Sequence, residues 1–215
     1  MILYITVCFF LYLLYYKIYN TNKYIESFNI IDEKQRIYSI MLKKIVKAFN
    51  NIKIPFFLSS GTCLGYFREK KFIDHDYDID IGIFEKDYSP VILDELKKMG
   101  FILYRFFGDL KTGCEFSFYY PNKIIGKKAK FDLFLHYFEE DSIYWNAFIS
   151  KTKKKIKYKV PKFTLKEVKF MGLDILVPHP TKRYIKSHYG KDWFIPKKSG
   201  KNYKFHSSPV SIVNK

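Results

Sequence analysis

Three cysteines in 215 residues, Cys8, Cys63 and Cys114, are too few and too scattered for a disulfide framework. They form no C-x-x-C pair, which also excludes a cysteine-held zinc site. One Cys63–Cys114 bridge stays open, so cysteine does not fix the compartment. Acidic residues are scarce too: 21 Asp and Glu face 38 Lys and Arg, a net charge of +17. Such a surface draws polyanions, whether nucleic acid, anionic lipid or phosphorylated substrate. The densest basic run, 151–159, reads first as a solvated face. Repeats and low-complexity linkers are missing, and a content of 48% hydrophobic and 20% aromatic residues excludes a disordered body.

Residues 1–16 lack any charged side chain. The segment also lacks the basic start and small-residue cleavage site of a signal peptide. It is short for a full span. Lys17 is placed to snorkel, and four tyrosines suit a membrane interface. We therefore expect an uncleaved single-pass signal anchor over 1–19. Lys17 and Lys23 follow it, and the positive-inside tendency would keep that flank cytosolic.

Residues 20–50 read as a stem and a helix. Asp32 and Gln35 have the spacing of a capping box, and Ile37, Met41, Ile45 and Phe49 recur at helical period. Residues 51–215 read as one α/β domain. It should open with a strand through Phe56-Phe57-Leu58, a tight turn and a helix start at Ser60-Gly61-Thr62. A helix with Ser89 as cap, Pro90 at its first position and Gly100 at its end follows. Strands are expected near 101–106, 115–120 and 130–137, and a last helix over 181–188.

The most specific feature is the run Asp76-Tyr77-Asp78-Ile79-Asp80-Ile81-Gly82-Ile83. On a strand, alternate side chains share a face, so the three aspartates would stand together with the isoleucines opposite. Adjacent carboxylates repel, and a hard divalent cation relieves that repulsion. A calcium EF-hand loop is excluded, because Ile81 stands where it needs Gly and Asp87 where it needs Glu. Asp132 interrupts the apolar strand Phe131-Asp132-Leu133-Phe134-Leu135, where an unpaired carboxylate is costly. It is either half of a buried ion pair or part of the same metal site. Gly61 lets a phosphate approach the chain, and the helix it opens offers free N–H donors.

A Gly-Ser/Thr turn, then Asp-x-Asp on a strand, then a third Asp on a neighbouring strand resembles the nucleotidyltransferase fold. In detail, Leu58-Ser59-Ser60-Gly61-Thr62-Cys63-Leu64-Gly65-Tyr66-Phe67-Arg68, the aspartate run, Phe131-Asp132-Leu133-Phe134, Tyr144-Trp145-Asn146 and Tyr189-Gly190-Lys191-Asp192-Trp193 resemble the LicD/fukutin family. The likeness spans about 55–200. It implies a nucleotidyltransferase-like mixed β-sheet flanked by helices, behind an N-terminal membrane helix. It implies a metal-dependent transferase that moves an alditol phosphate, such as ribitol 5-phosphate, from a CDP-linked donor to a glycan or glycoprotein acceptor, releasing CMP. LicD-type members move phosphocholine instead, which is the first alternative.

On this resemblance Asp78, Asp80 and Asp132 hold Mg²⁺ or Mn²⁺, with Asp132 also able to take the acceptor's proton. Gly61 and Thr62 contact phosphate, Arg68 clamps it, Asp76 supports the ligands from behind, and Tyr189 and Trp193 shape the pocket. A domain facing the lumen of the Golgi or endoplasmic reticulum is implied as well, against the charge flank. Two further readings are kept: a nucleic-acid nucleotidyltransferase, favoured by the charge, and a non-catalytic glycan-binding relative, opposed by the intact aspartates. Nucleic acid is not the expected partner.

Overall fold

The computed structural model describes residues 2–124, 127–149, 154–197 and 211–213. Four α-helices are present among them: α1 (Ile2–Ile52), α2 (Ser60–Glu69), α3 (Val91–Lys98) and α4 (Thr181–Tyr189). The first strands are β1 (Phe57–Leu58), β2 (Ile79–Phe84), β3 (Ile102–Asp109), β4 (Gly113–Ile124) and β5 (Lys127–Phe138). There follow β6 (Ser142–Ile149), β7 (Lys154–Pro161), β8 (Thr164–Phe170), β9 (Leu173–His179) and β10 (Ser211–Val213).

The strands join in the order β10-β7-β6-β5-β2-β1-β9-β8, with β4 also on β5 and β3 on β4. The sheet is mixed: β2 runs parallel to β5 and antiparallel to β1, and β1 runs parallel to β9. All six residues of β2 are buried, because helices or loops cover both of its faces. The α/β expectation holds, with a mixed sheet flanked by helices.

Helix α1 is unbroken from Ile2 to Ile52. Its C-terminal half carries apolar residues three and four apart, and Ile37, Tyr38, Met41, Leu42, Ile45, Ala48 and Phe49 are all buried. That stripe seats the helix against α3 and β4. Asp32 and Gln35 do not cap a helix start, because α1 passes straight through them. Gln35 instead donates to the Phe72 carbonyl (2.7 Å) and accepts from its N–H (3.1 Å). Leu11 to Tyr19, on the same helix, leave most of their apolar side chains exposed. Among the described residues no helix is long and apolar enough to cross a membrane. Residue 1 and the side chains of 2–10, about half of the expected anchor, lie outside the described residues.

Cys63 and Cys114 are both buried free thiols, so the bridge left open by the sequence is not formed. In α3 the Ser89 side chain makes no cap; its carbonyl accepts the N–H of Ile92, and the helix begins at Val91. Of the basic run, 151–153 lie outside the described residues. Lys157 and Lys159 on β7 both pair with Glu139, so part of the charge is locally balanced.

Candidate active site

The site forms where α2 starts, beside the N-terminal end of β2 and its neighbour β5 at the sheet centre. Only Ser59 separates β1 from α2. The chain turns so sharply that the Ser60 N–H donates to the Tyr184 hydroxyl on α4 (3.1 Å) and the next amide faces the neighbouring strand β2. Gly61 N–H donates to Asp80 Oδ2 at 2.8 Å. A Cβ on Gly61 would lie 2.4 Å from Asp76 Oδ2 and 3.0 Å from Asp80 Oδ2. Glycine is therefore required because two carboxylates close onto the backbone there. Thr62 is buried, and its hydroxyl accepts the Asp80 N–H at 2.8 Å. It aligns the strand that carries Asp80, where the sequence reading gave it a phosphate.

Asp80 and Asp132 are register partners on the parallel pair β2 and β5. Asp76 and Asp78 do not share that strand; they precede it on a turn, since β2 begins at Ile79. The alternation read from the sequence fails there because the main chain of 72–76 is drawn against α1. Even so, Asp76, Asp78 and Asp80 each offer an oxygen within 4.8 Å of the others. Asp76 thus joins the cluster directly, where the sequence reading put it behind the ligands. Asp132 stands next to the cluster and one of its oxygens, Oδ1, has no hydrogen-bond partner.

Lys130, two residues before Asp132 on β5, bonds Asp78 Oδ2 and lies 3.8 Å from Asp132 Oδ2. The sequence reading missed it, though an i, i+2 lysine on the face of a strand aspartate was the available signal. It also missed Lys34, buried under the carboxylate turn, and Glu115, which is buried and accepts from Arg105 (2.6 Å) and the Phe148 N–H (3.0 Å).

Burial and mutual repulsion raise the carboxylate affinities for protons. Asp132 is pushed up to about 7 by burial and by Asp78, with Lys130 opposing. Asp76 is pushed up to about 8 by burial and by Asp78, with Lys34 opposing. Asp80 is raised by burial and then by Asp78, Asp76 and Asp132. Burial works against the charge of Lys130, but Asp78 and Asp132 raise its affinity for a proton above the ordinary value.

A carboxylate with a raised folded-state pKa holds its proton longer in the folded chain than in the unfolded one. Its stabilising contribution is complete near pH 4 and fades as pH rises toward 7 and 8. Metal-free protein is therefore expected to melt at lower temperature at pH 8 than at pH 5.5. Mn²⁺ should raise the melting temperature more at pH 8, where protons no longer compete for the oxygens. Thermal scans at the two pH values, with and without Mn²⁺, check both halves. The all-oxygen donor set, clustered and short of positive charge, fits a hard divalent cation.

Cavities lie on both sides of the turn. One of about 130 Å³ is lined by Gly61, Arg68, His75, Asp76, Tyr189 and Trp193. It adjoins another of about 190 Å³, where Asp76 and Asp80 face Trp145, Tyr158, His188 and Tyr189. Tyr189 lines both cavities and Trp193 the first. The fork of Arg68 is already engaged by Glu69 and by the carbonyl of Trp193 (3.1 Å), so it ties α2 to the segment after α4. On the far side a cavity of about 420 Å³ opens between α1 and the sheet, lined by Tyr38, Asp76, Tyr77, Tyr119, Lys128 and Lys130.

The family model described as "LicD/FKTN/FKRP, nucleotidyltransferase domain" matches residues 53–180, which contain Asp76, Asp78, Asp80 and Asp132. The chain is 37% identical over 172 residues to the mouse "Ribitol-5-phosphate transferase FKTN", covering 80% of this chain and 36% of that protein. The human protein of the same name is 38% identical over 159 residues, 74% of this chain and 33% of its own length. A Caenorhabditis elegans relative, "Uncharacterized protein W02B3.4", is 28% identical over 168 residues, 73% of this chain and 41% of its own. The chain thus spans about a third of the length of the ribitol-5-phosphate transferases it matches. With the family match covering the sheet centre and the aspartate cluster together, the chain belongs to the LicD/FKTN/FKRP nucleotidyltransferase-domain family.

Proposed function

We propose that this protein transfers an alditol phosphate, ribitol 5-phosphate or a close relative, from a CDP-linked donor to a hydroxyl of a glycan, releasing CMP. The observation that carries the reading is the meeting of Asp76, Asp78 and Asp80 at the start of α2, with Asp132 one strand away. The identity to ribitol-5-phosphate transferases supports the choice of transferred group. Asp76, Asp78 and Asp80 would hold Mg²⁺ or Mn²⁺, with Asp132 adjoining. A divalent cation bound there supplies charge neutralisation for the donor's pyrophosphate.

The chain's own residues would do the rest. The acceptor oxygen attacks the phosphorus that carries the alditol, and the bond from that phosphorus to the CMP oxygen breaks. The hydroxyl proton passes to Asp132, which adjoins the cluster and keeps one carboxylate oxygen, Oδ1, without a hydrogen-bond partner. Asp76 borders both the cavity beside α4 and the cavity beside α1, which leaves room for donor and acceptor to meet at the cluster. Lys130 is positioned to turn from Asp78 to the donor phosphates once a cation occupies the carboxylates. The apolar start of α1 would seat the protein on a membrane, facing the lumen on the family resemblance; the exposed Leu11, Leu14, Tyr15 and Ile18 support that placement.

Incubation with CDP-ribitol, CDP-glycerol and CDP-choline, with free CMP and labelled glycan read by mass spectrometry, tests the proposal. CMP release from the alditol donors is expected. Release from CDP-choline alone would favour a phosphocholine transferase. Incorporation of CTP or ATP into RNA would favour a nucleic-acid nucleotidyltransferase.

A further inference from the structure

The carboxylate turn is held from one side by α1. Lys34, only 4% exposed, sends its ammonium to the main-chain oxygens of Ile73 (2.7 Å), Asp74 (3.0 Å) and Asp76. Three N–H donors meet three carbonyls, which satisfies the group completely. Gln35 adds both amide contacts to Phe72, and Tyr38 packs edge-on against the Phe72 ring at 5.3 Å. None of the ammonium's hydrogen bonds goes to a carboxylate oxygen; Lys130 provides that contact, to Asp78. A buried ammonium whose hydrogen bonds all go to backbone oxygens shapes the backbone, beside its contact with the Tyr38 ring and its charge effect on Asp76.

We propose that Lys34 is a positioning residue for the divalent cation: it bends 73–76 so that the carboxylates of Asp76 and Asp78 converge on Asp80. This rests on the reading of that cluster as a metal site. It gives α1 a part in the chemistry although the helix contributes no ligand.

The sign of one measurement separates this role from a mere counter-charge. A lysine repels a nearby cation, so deleting a counter-charge would tighten metal binding. Deleting a positioning residue weakens it. Mn²⁺ binding to the detergent-solubilised full chain, without nucleotide, is read from the free-ion signal in electron paramagnetic resonance. Lys34→Met is expected to weaken Mn²⁺ at least tenfold and to recover transferase turnover at high Mn²⁺.

Leu42→Ala, in the buried stripe of the same helix, serves as the stability control. It should lower the melting temperature and leave Mn²⁺ affinity unchanged. Equal or tighter binding in folded Lys34→Met overturns the proposal, as does an equal loss in Leu42→Ala. Should Lys34→Met not fold, Gln35→Leu tests the same grip: severalfold weaker Mn²⁺ binding supports it and unchanged binding overturns it. A wild-type chain that binds no Mn²⁺ removes the metal reading itself, an outcome distinct from either variant's.

Discussion

Asp78→Asn and Asp80→Asn are each expected to lower transfer by about 10³-fold or more while the chain stays folded, on the scale of losing electrostatic stabilisation at a developing charge. Asparagine keeps the shape and can still accept the Gly61 N–H at position 80, so the loss measures charge rather than packing. The two variants should differ in stability. At Asp80, one of four crowded carboxylates becomes neutral, and the metal-free chain is expected to melt at or above the wild-type temperature. At Asp78, Lys130 loses the charge of its nearest partner and keeps only Asp132, at 3.8 Å, as an ionic neighbour, so no such gain is expected. CMP release per folded molecule, alongside a melting curve, checks both. Near-normal turnover in either folded variant rejects the assignment of the site.

Removal of divalent metal is the second large effect. Without a cation, and most strongly above about pH 8 where Asp76 and Asp132 have given up their protons, the cluster presents negative charge to a donor that carries two phosphates of the same sign, inside a partly dry cleft where repulsion is poorly screened. Calorimetry with CDP-ribitol should show binding in Mg²⁺ that vanishes in EDTA and returns with excess Mg²⁺. Binding indifferent to EDTA would mean that the phosphates sit elsewhere, and the pairing of cluster and donor would fall.

Much of this architecture could be read from residue order alone. The helical stripe Ile37, Met41, Ile45 and Phe49 was visible because burial repeats with the helix period. Asp132 was conspicuous because a carboxylate in an apolar strand needs a reason, and its alignment with Asp80 depends only on two strands lying side by side. Asp76 and Asp78 were placed on a strand because alternation looks the same on a strand and on a turn held extended. What bends that turn is Lys34, some forty residues earlier, and no local pattern announces so distant a partner. Thr62 was legible as a small residue near phosphate chemistry. Which way its hydroxyl points follows from the pairing of Ser59 N–H with the Asp80 carbonyl, a tertiary contact. Cys63 on α2 and Cys114 on β4 are both free thiols, an outcome of how those elements pack that residue order does not give.

The continuity of α1 has a geometric consequence. From Lys17 to Lys34 the helix climbs about 25 Å, at roughly 1.5 Å per residue. If the apolar turns before Lys17 sit in a bilayer as proposed, the reacting centre is carried at a set height above the surface by a single strut. Its orientation is set as well, since the strut ends inside the protein core. The enzyme would then select acceptors by stature: glycan ends that reach that height are within range, and shorter ones are passed over whatever their chemistry. Inserting or deleting whole turns before Glu33 would move that height by about 5 Å each.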